Sequence, residues 1–383
     1  MLLESVEAHC FRNLGGKISW GPGLNIIWGE NGQGKTNWLE AIYLLATTKS
    51  FRTQRPQEAI RFDENLAVVR GRVARSREVH RDLQVAIQGN TKTLSVNGKR
   101  ETITRYLGQL DTIAFTSDEL EVVRGAPDAR RRFLDRGIVM LHHAYVQTLA
   151  DFHRVLKQKN RLLQDASESE MSIEEVRALV APWNEQLVSL SGAIYRARVD
   201  FVKRLNEVLE RRLFGREEVT IRYVSALEGK GDLTDYEALI AERLQLRLPA
   251  EMAAGYALIG PHRDDLEILF DGRDARTFGS SGQQRSALIL LDLGVISVYH
   301  TWHSEYPLLL IDDVDAELDR KRIGHLLEYL EGRTQTFVTT SKESLARRYT
   351  ERASIYELKD GLPRDIFASA SVVPAVTTGI DSI

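Results

Sequence analysis

A single cysteine, Cys10, stands in 383 residues, which excludes an internal disulfide framework and any four-ligand zinc site built on cysteine. So thiol-poor a chain suits a reducing compartment, and a cytoplasmic protein is expected. No stretch approaches the roughly 18 uninterrupted apolar residues of a membrane span, so no membrane partner is expected. Met1 to Cys10 carry Glu4 and Glu7 and no apolar run behind a basic flank, so no signal peptide is expected there. Excess charge of one sign is missing too: 51 Lys plus Arg face 54 Asp plus Glu, a formal net charge of -3. The whole molecule offers no field for a polyanion, and any nucleic-acid surface has to be local. Repeats at a solenoid period are absent.

What is present is an ordinary globular composition, 43% hydrophobic and 27% charged, in a chain long enough for two or three domains. Ala67 to Val73, Asp82 to Gln88 and Thr93 to Val96 alternate as strands, the last closed by the turn pair Asn97-Gly98. Beyond about Asp118 the period becomes helical. Tyr145, Leu149, Phe152, Leu156 and Leu163 form one apolar stripe; Val176, Trp183, Leu187, Leu190, Ile194, Phe201, Leu205 and Val208 form a second. The polar stretch Gln164 to Ser172 is the expected turn between two long helices. Strand signals return after Pro249, and the apolar run Leu308 to Ile311 suits a strand buried on both faces. The expected organisation is α/β: one lobe in two pieces, residues 1–117 and 295–367, around an inserted helical lobe, residues 118–294. Residues 368–383 are expected to be a flexible tail.

The strongest chemical signal is Gly29-Glu30-Asn31-Gly32-Gln33-Gly34-Lys35-Thr36, the phosphate-loop pattern G-x-x-x-x-G-K-[ST]. The strand candidate Leu24 to Trp28 precedes it, and a helix with Leu39, Ile42, Tyr43 and Ala46 on its inner side follows. Glycines let backbone N-H groups converge on phosphate oxygens, and a helix N-terminus adds partial positive charge there. Lys35 is expected to reach the β and γ phosphates of ATP, and Thr36 to ligate Mg²⁺. The strand Leu308 to Ile311 delivers Asp312 and Asp313 at its carboxyl end, where ligands sit in α/β sheets. Asp312 is the second magnesium candidate; Asp313 is placed to orient or deprotonate the attacking water.

Between these motifs, Ser280-Ser281-Gly282-Gln283 opens a helical run. A Ser-x-Gly-Gln turn ahead of a helix is a common cap, but in this order it resembles the signature of ABC-type ATPases. That resemblance implies a dimer in which Ser280, Gly282 and Gln283 of one subunit meet the ATP of the other. Asp319 then stands where the D-loop aspartate belongs, with Ala316 where relatives usually have serine, and Thr339-Thr340-Ser341 ends a strand at the switch position. An ABC transporter subunit and a chromosome-tethering ATPase share these motifs. The wide spacing and a helical arm of this size argue against the first, and an arm too short for a long coiled coil, with no Cys-x-x-Cys, argues against the second.

Phe11-Arg12-Asn13, Lys49-Ser50-Phe51-Arg52, Gly125-Ala126-Pro127 with Arg131-Arg132-Phe133-Leu134-Asp135, and Gly260-Pro261-His262-Arg263-Asp264-Asp265 resemble the RecF family of SMC-like head ATPases over nearly the whole chain. The resemblance implies slow ATP hydrolysis as a switch, an ATP-dependent homodimer, and binding of double-stranded DNA and single-/double-strand junctions. It further implies a role in recombinational repair, replication and the SOS response, with RecR and RecO as partners, and it adds Arg12 to the ATP-binding residues. Eight arginines, at 52, 55, 61, 70, 72, 75, 77 and 81, face Glu58, Asp63, Glu64 and Glu78, a local excess of +4. Arg70, Arg72, Arg75 and Arg77 are the candidate DNA contacts, with Arg70 and Arg72 on one strand face. A solvated, ion-paired face fits the same residues. His262 beside Asp264 and Asp265 is read as structural, with one of the aspartates paired to an arginine.

Overall fold

A computed structural model describes residues 1–76, 78–169, 171–209, 218–314 and 320–367. The described residues divide into two compact units, one from residues 1–119 with those from 299 to 367, the other within residues 120–298; the expected tail, 368–383, lies outside the described residues.

The first unit holds two six-stranded sheets. One is antiparallel throughout, in the order β2 (Leu14–Ser19), β1 (Leu2–Phe11), β4 (Leu66–Ala74), β5 (His80–Gln88), β6 (Thr91–Val96) and β7 (Lys99–Arg100). On β4, Ala67, Val69 and Val73 are buried while Arg70 and Arg72 face outward, the alternation of a sheet with one face on the core. The other sheet runs β15 (Leu362–Phe367), β14 (Ala353–Lys359), β3 (Leu24–Trp28), β13 (Thr336–Thr340), β12 (Leu308–Ile311) and β8 (Thr112–Phe115). Its inner pairings are parallel, and only the edge strand β15 is antiparallel. Each residue of β12 is buried, as a strand between two parallel neighbours requires.

The helix Lys35–Thr47 packs on β4, β1 and β5 and also against β13 and β8. Trp38, Leu39, Ala41, Ile42 and Leu45 have no exposure, and burying each large side chain contributes roughly 1.5–3 kcal/mol. Trp20 stands edge-on to Trp38, Phe337 and Tyr356 at 6.4, 5.2 and 4.9 Å, and Trp38 Nε1 donates to Gly361 O at 3.2 Å. Those contacts fix the start of the helix, and so the loop before it.

In the second unit, β9 (Val219–Val224), β10 (Asp265–Phe270) and β11 (Arg273–Asp274) form a small antiparallel sheet. The helices Pro127–Leu141, Tyr145–Glu168 and Ile173–Leu209 pack together. The turn expected over Gln164 to Ser172 is shorter than that: the first long helix runs on to Glu168, supported by a Gln164 to Glu168 hydrogen bond one turn apart. The next helix starts with a capping box, in which Ser172 Oγ accepts from Glu175 N at 3.3 Å and Ser172 N donates to Glu175 Oε2 at 2.9 Å. Lys159 and Glu251, both fully buried and 2.6 Å apart, tie the first long helix to the helix Leu248–Ala254.

Candidate functional site

The phosphate loop follows β3 directly. Gly29 (φ +155°) passes so close to β14 that a Cβ would lie 2.6 Å from Leu358 O, and at Gly34 (φ +97°) a Cβ would lie 2.7 Å from Asn13 Oδ1. Only glycine meets both the conformation and the approach. Lys35 is buried, and its ammonium donates to Gly29 O at 2.7 Å and Glu30 O at 2.8 Å. It braces the loop from within, with its cation held under the backbone that would wrap a phosphate. Glu30, Asn31 and Gly32 are exposed along the loop. Gln33 faces another way: its Oε1 accepts from Asp360 N at 2.5 Å and its carbonyl from Gly361 N at 3.0 Å, so it fastens the loop to the β14–β15 turn.

Thr36 and Asp312 are 276 residues apart in sequence, yet Thr36 Oγ1 lies 2.9 and 3.0 Å from the two Asp312 carboxylate oxygens. The parallel register of β3, β13 and β12 produces that meeting. Thr339, at the end of β13, completes it. Its Oγ1 donates to Asp312 Oδ1 at 2.7 Å and accepts from Asp313 N, also at 2.7 Å. Asp313 is exposed and has φ +48°, in the left-handed region. One hydroxyl therefore sets the positions of two acidic residues. The resemblance puts Thr339 at the switch position, but its contacts with Asp312 and Asp313 carry no periodic signal in the sequence, because they cross between neighbouring strands.

A hydroxyl and a carboxylate oxygen side by side are hard ligands suited to magnesium, which binds proteins through one or two such groups and takes the rest from phosphates and water. Among the described residues no cluster of three or more His, Cys, Asp or Glu could hold a metal ion.

Arg12, at φ +52°, places its guanidinium across both oxygens of Glu40, Nε to Oε2 at 3.0 Å and Nη2 to Oε1 at 2.8 Å. Glu40 has no exposure. Its involvement is illegible in the sequence, since it falls among the apolar residues of its helix and its partners are distant.

Ser280, Gly282 and Gln283 lie in the second unit, at the start of the helix Ser281–His303. Ser280 Oγ accepts from Gln283 N at 3.3 Å, and Gln283 Oε1 accepts from Ser280 N at 2.9 Å, a reciprocal cap that shapes the turn. Asp319 and Ala316 lie outside the described residues. Also in this unit, Arg130 holds Asp265 by two bonds of 2.6 and 2.9 Å, Arg198 holds Asp135 by two of 2.9 Å, and Asp264 accepts from Tyr223 Oη and from Ala226 N. His262 Nε2 lies 3.2 Å from Ala257 O, and burial pushes the imidazole down to about 4. Among the described residues no metal-binding set surrounds it.

Three of the four arginines proposed for DNA have acidic partners, those of Arg70 and Arg72 on β1 and that of Arg75 in the segment before β12. Glu7 lies opposite Arg70 in the β1–β4 register, 3.7 Å from its Nη1; Glu4 is 3.2 Å from Arg72 Nε; Arg75 is 3.4 Å from Glu305. Arg70 and Arg72 remain more than half exposed. Arg77 lies outside the described residues. Lys92 turns inward to donate to Thr48 O at 2.6 Å.

The family model for the RecF/RecN/SMC N terminal domain matches residues 2–363. A DNA replication and repair protein RecF of Bacillus pumilus (strain SAFR-032) is 35% identical over 370 residues, covering 94% of this chain and 99% of the relative. The chain belongs to the RecF family. A solved structure of the recombination mediator protein RecF-ATP in the RecFOR pathway matches this RecF-family chain with a TM-score of 0.85 at 28% identity, covering 95% of this chain and 97% of that one. An SMC head bound to the C-winged helix domain of ScpA shares the fold, at a TM-score of 0.50 and 16% identity over 95% of this chain and 97% of that one. The fold is that of the ABC-type ATPase head, α/β with helical insertions.

Proposed function

We propose that this RecF-family chain is an ATP-switched DNA-binding protein of recombinational repair and replication in the cytoplasm, acting with RecO and RecR. The observation that carries the reading is the meeting of Thr36, Asp312 and Thr339 beside a phosphate loop braced by buried Lys35. Lys35 and the loop backbone hold the phosphates of ATP, with Gly29, Glu30, Asn31, Gly32, Gln33, Gly34 and Arg12 forming the surrounding cradle. Thr36 and Asp312 hold Mg²⁺, which when bound neutralises phosphate charge. Asp313 orients the attacking water and takes up its proton. Ser280, Gly282, Gln283 and Asp319 act in trans, on the ATP of a second copy, so that the dimer persists while ATP is intact and hydrolysis releases it slowly.

Duplex DNA and single-/double-strand junctions bind through their phosphates, with Arg70, Arg72, Arg75 and Arg77 contributing. The acidic partners of Arg70 and Arg72 are exposed ion pairs, each worth about 0–1 kcal/mol, and phosphate can displace them. The alternative of a membrane transporter's ATPase subunit is opposed by the wide interval of 276 positions between Thr36 and Asp312 and by the RecF/RecN/SMC family match over residues 2–363. The deciding experiment is duplex binding by the full chain, with and without ATP and magnesium, at several salt concentrations. The reading requires ATP-dependent affinity that falls steeply with salt and weakens when Arg70 and Arg72 are both changed to Glu. Absence of duplex binding in every nucleotide state refutes it.

A further inference from the structure

Glu40 lies one helical turn beyond Thr36 on the phosphate-loop helix, without solvent exposure. A buried carboxylate is costly unless it is paired and hydrogen-bonded, and its partners here form a pattern. Arg12 spans both oxygens, Ser50 Oγ donates to Oε1 at 2.6 Å, and Arg52 Nη1 stands 4.0 Å from Oε2. Arg12 Nη1 also donates to Glu58 O at 2.6 Å. Three of the five guanidinium N-H donors are thereby engaged, and the side chain keeps 19% of its surface in solvent. Ser50 Oγ accepts from Arg52 N at 2.9 Å and Thr53 N at 3.0 Å, closing the segment after the helix onto the same carboxylate.

From Arg52 a polar chain leads to the phosphate loop. Arg52 Nη1 donates to Asn37 Oδ1 at 2.6 Å, Asn37 Nδ2 to Asn13 Oδ1 at 2.7 Å, and Asn13 Nδ2 to Gly32 O at 3.5 Å. Asn13 follows Arg12 in the chain, and its amide fills the space that a Cβ at Gly34 would need. Two guanidinium groups are thus anchored on one hidden acid, next to the loop that would bind a polyphosphate.

We propose that Glu40 is a positioning residue for the nucleotide site, holding Arg12 and Arg52 in place so that the phosphate tail of ATP meets cations already oriented. The inference rests on the reading of the loop as an ATP site. Preorganised cations lose little conformational freedom on binding, whereas a free arginine surrenders much of its own. A purely structural ion pair, tying the end of β1 to the helix, predicts lost thermal stability and unchanged ATP affinity.

The test is calorimetric titration of the full chain with ATP and magnesium. Glu40→Gln keeps the shape and removes the charge; about a tenfold loss of ATP affinity is expected, the effect of one charge-assisted hydrogen bond. In an Arg12→Ala/Arg52→Ala background the same substitution should change affinity by less than about twofold, because the groups through which it acts are gone. Glu40→Asp, which withdraws the charge by one methylene, carries the same comparison if Glu40→Gln does not fold. Wild-type affinity in a folded Glu40 variant, or an undiminished loss in the double-arginine background, overturns the proposal. Unchanged ATP binding by Lys35→Ala would instead refute the nucleotide-site reading on which it stands.

Discussion

Replacing Thr339 with valine removes one hydroxyl and preserves shape, at a residue 1% exposed. Two hydrogen bonds go with it. The bond to Asp312 Oδ1 is charge-assisted, worth about 1.5–3 kcal/mol, and the Asp313 N-H loses its acceptor, which costs about 1–3 kcal/mol when no other partner is found. Asp313 is exposed, so water can replace part of the second bond, and a net local cost of about 2–4 kcal/mol remains. The larger effect should be on catalysis. Asp313 is held at φ +48°, a conformation that persists in a non-glycine residue only where surroundings impose it, and its N-H bond to Thr339 is one such constraint. Released, its carboxylate drifts, and a misplacement near 1 Å can cost about 100-fold in rate. Single-turnover ATP hydrolysis at saturating ATP should fall at least about tenfold in Thr339→Val, with ATP affinity less affected. Thr339→Ser, which restores the hydroxyl, should stay within about threefold of wild type. A folded Thr339→Val protein that hydrolyses ATP at the wild-type rate would show that this hydroxyl does not organise the acidic pair.

Lys35→Met deletes the buried cation held under the loop, and ATP affinity measured by calorimetry should drop at least about 100-fold, the worth of two charge-assisted bonds to phosphate; tight ATP binding by this variant refutes the phosphate-loop assignment. Ser280→Arg should leave ATP affinity within about twofold of wild type yet keep the protein monomeric in sedimentation with ATP and magnesium, and normal ATP-induced dimerisation refutes the trans role. His262 titrates near 4 when folded and near 6.5 when unfolded, so the unfolded chain takes up its proton first. Its contribution is fully present above about 6.5 and declines toward pH 4, by up to about 3 kcal/mol. Urea unfolding between pH 7 and 4 should therefore be less pH-dependent for His262→Gln, and an identical pH dependence would place the titration elsewhere.

The phosphate loop was legible in the sequence because its chemistry is local: strand, glycines, lysine and helix start act through contiguous backbone, and residues 24 to 47 carry the whole pattern. The strand Leu308–Ile311 was legible for a related reason, as an unbroken apolar run has to be buried on both faces. The capping box of Ser172 and Glu175 was equally local, and it marks a helix start at the end of a stretch whose polarity suggested a longer turn. What the tertiary structure alone decided are relations between strands. Sheet order brings Asp312 to Thr36 across 276 positions and sets Thr339 between two aspartates. Counting charge over residues 52 to 81 gives an arginine excess, yet β4 pairs with β1, and Glu4 and Glu7 from that strand stand against Arg72 and Arg70. Glu40 has the same origin, an acid among apolar neighbours whose counter-ions arrive from the end of one strand and the loop beyond its own helix. Backbone conformation and capping depend on neighbours along the chain, whereas charge compensation and metal geometry depend on neighbours in space, which sheet register selects.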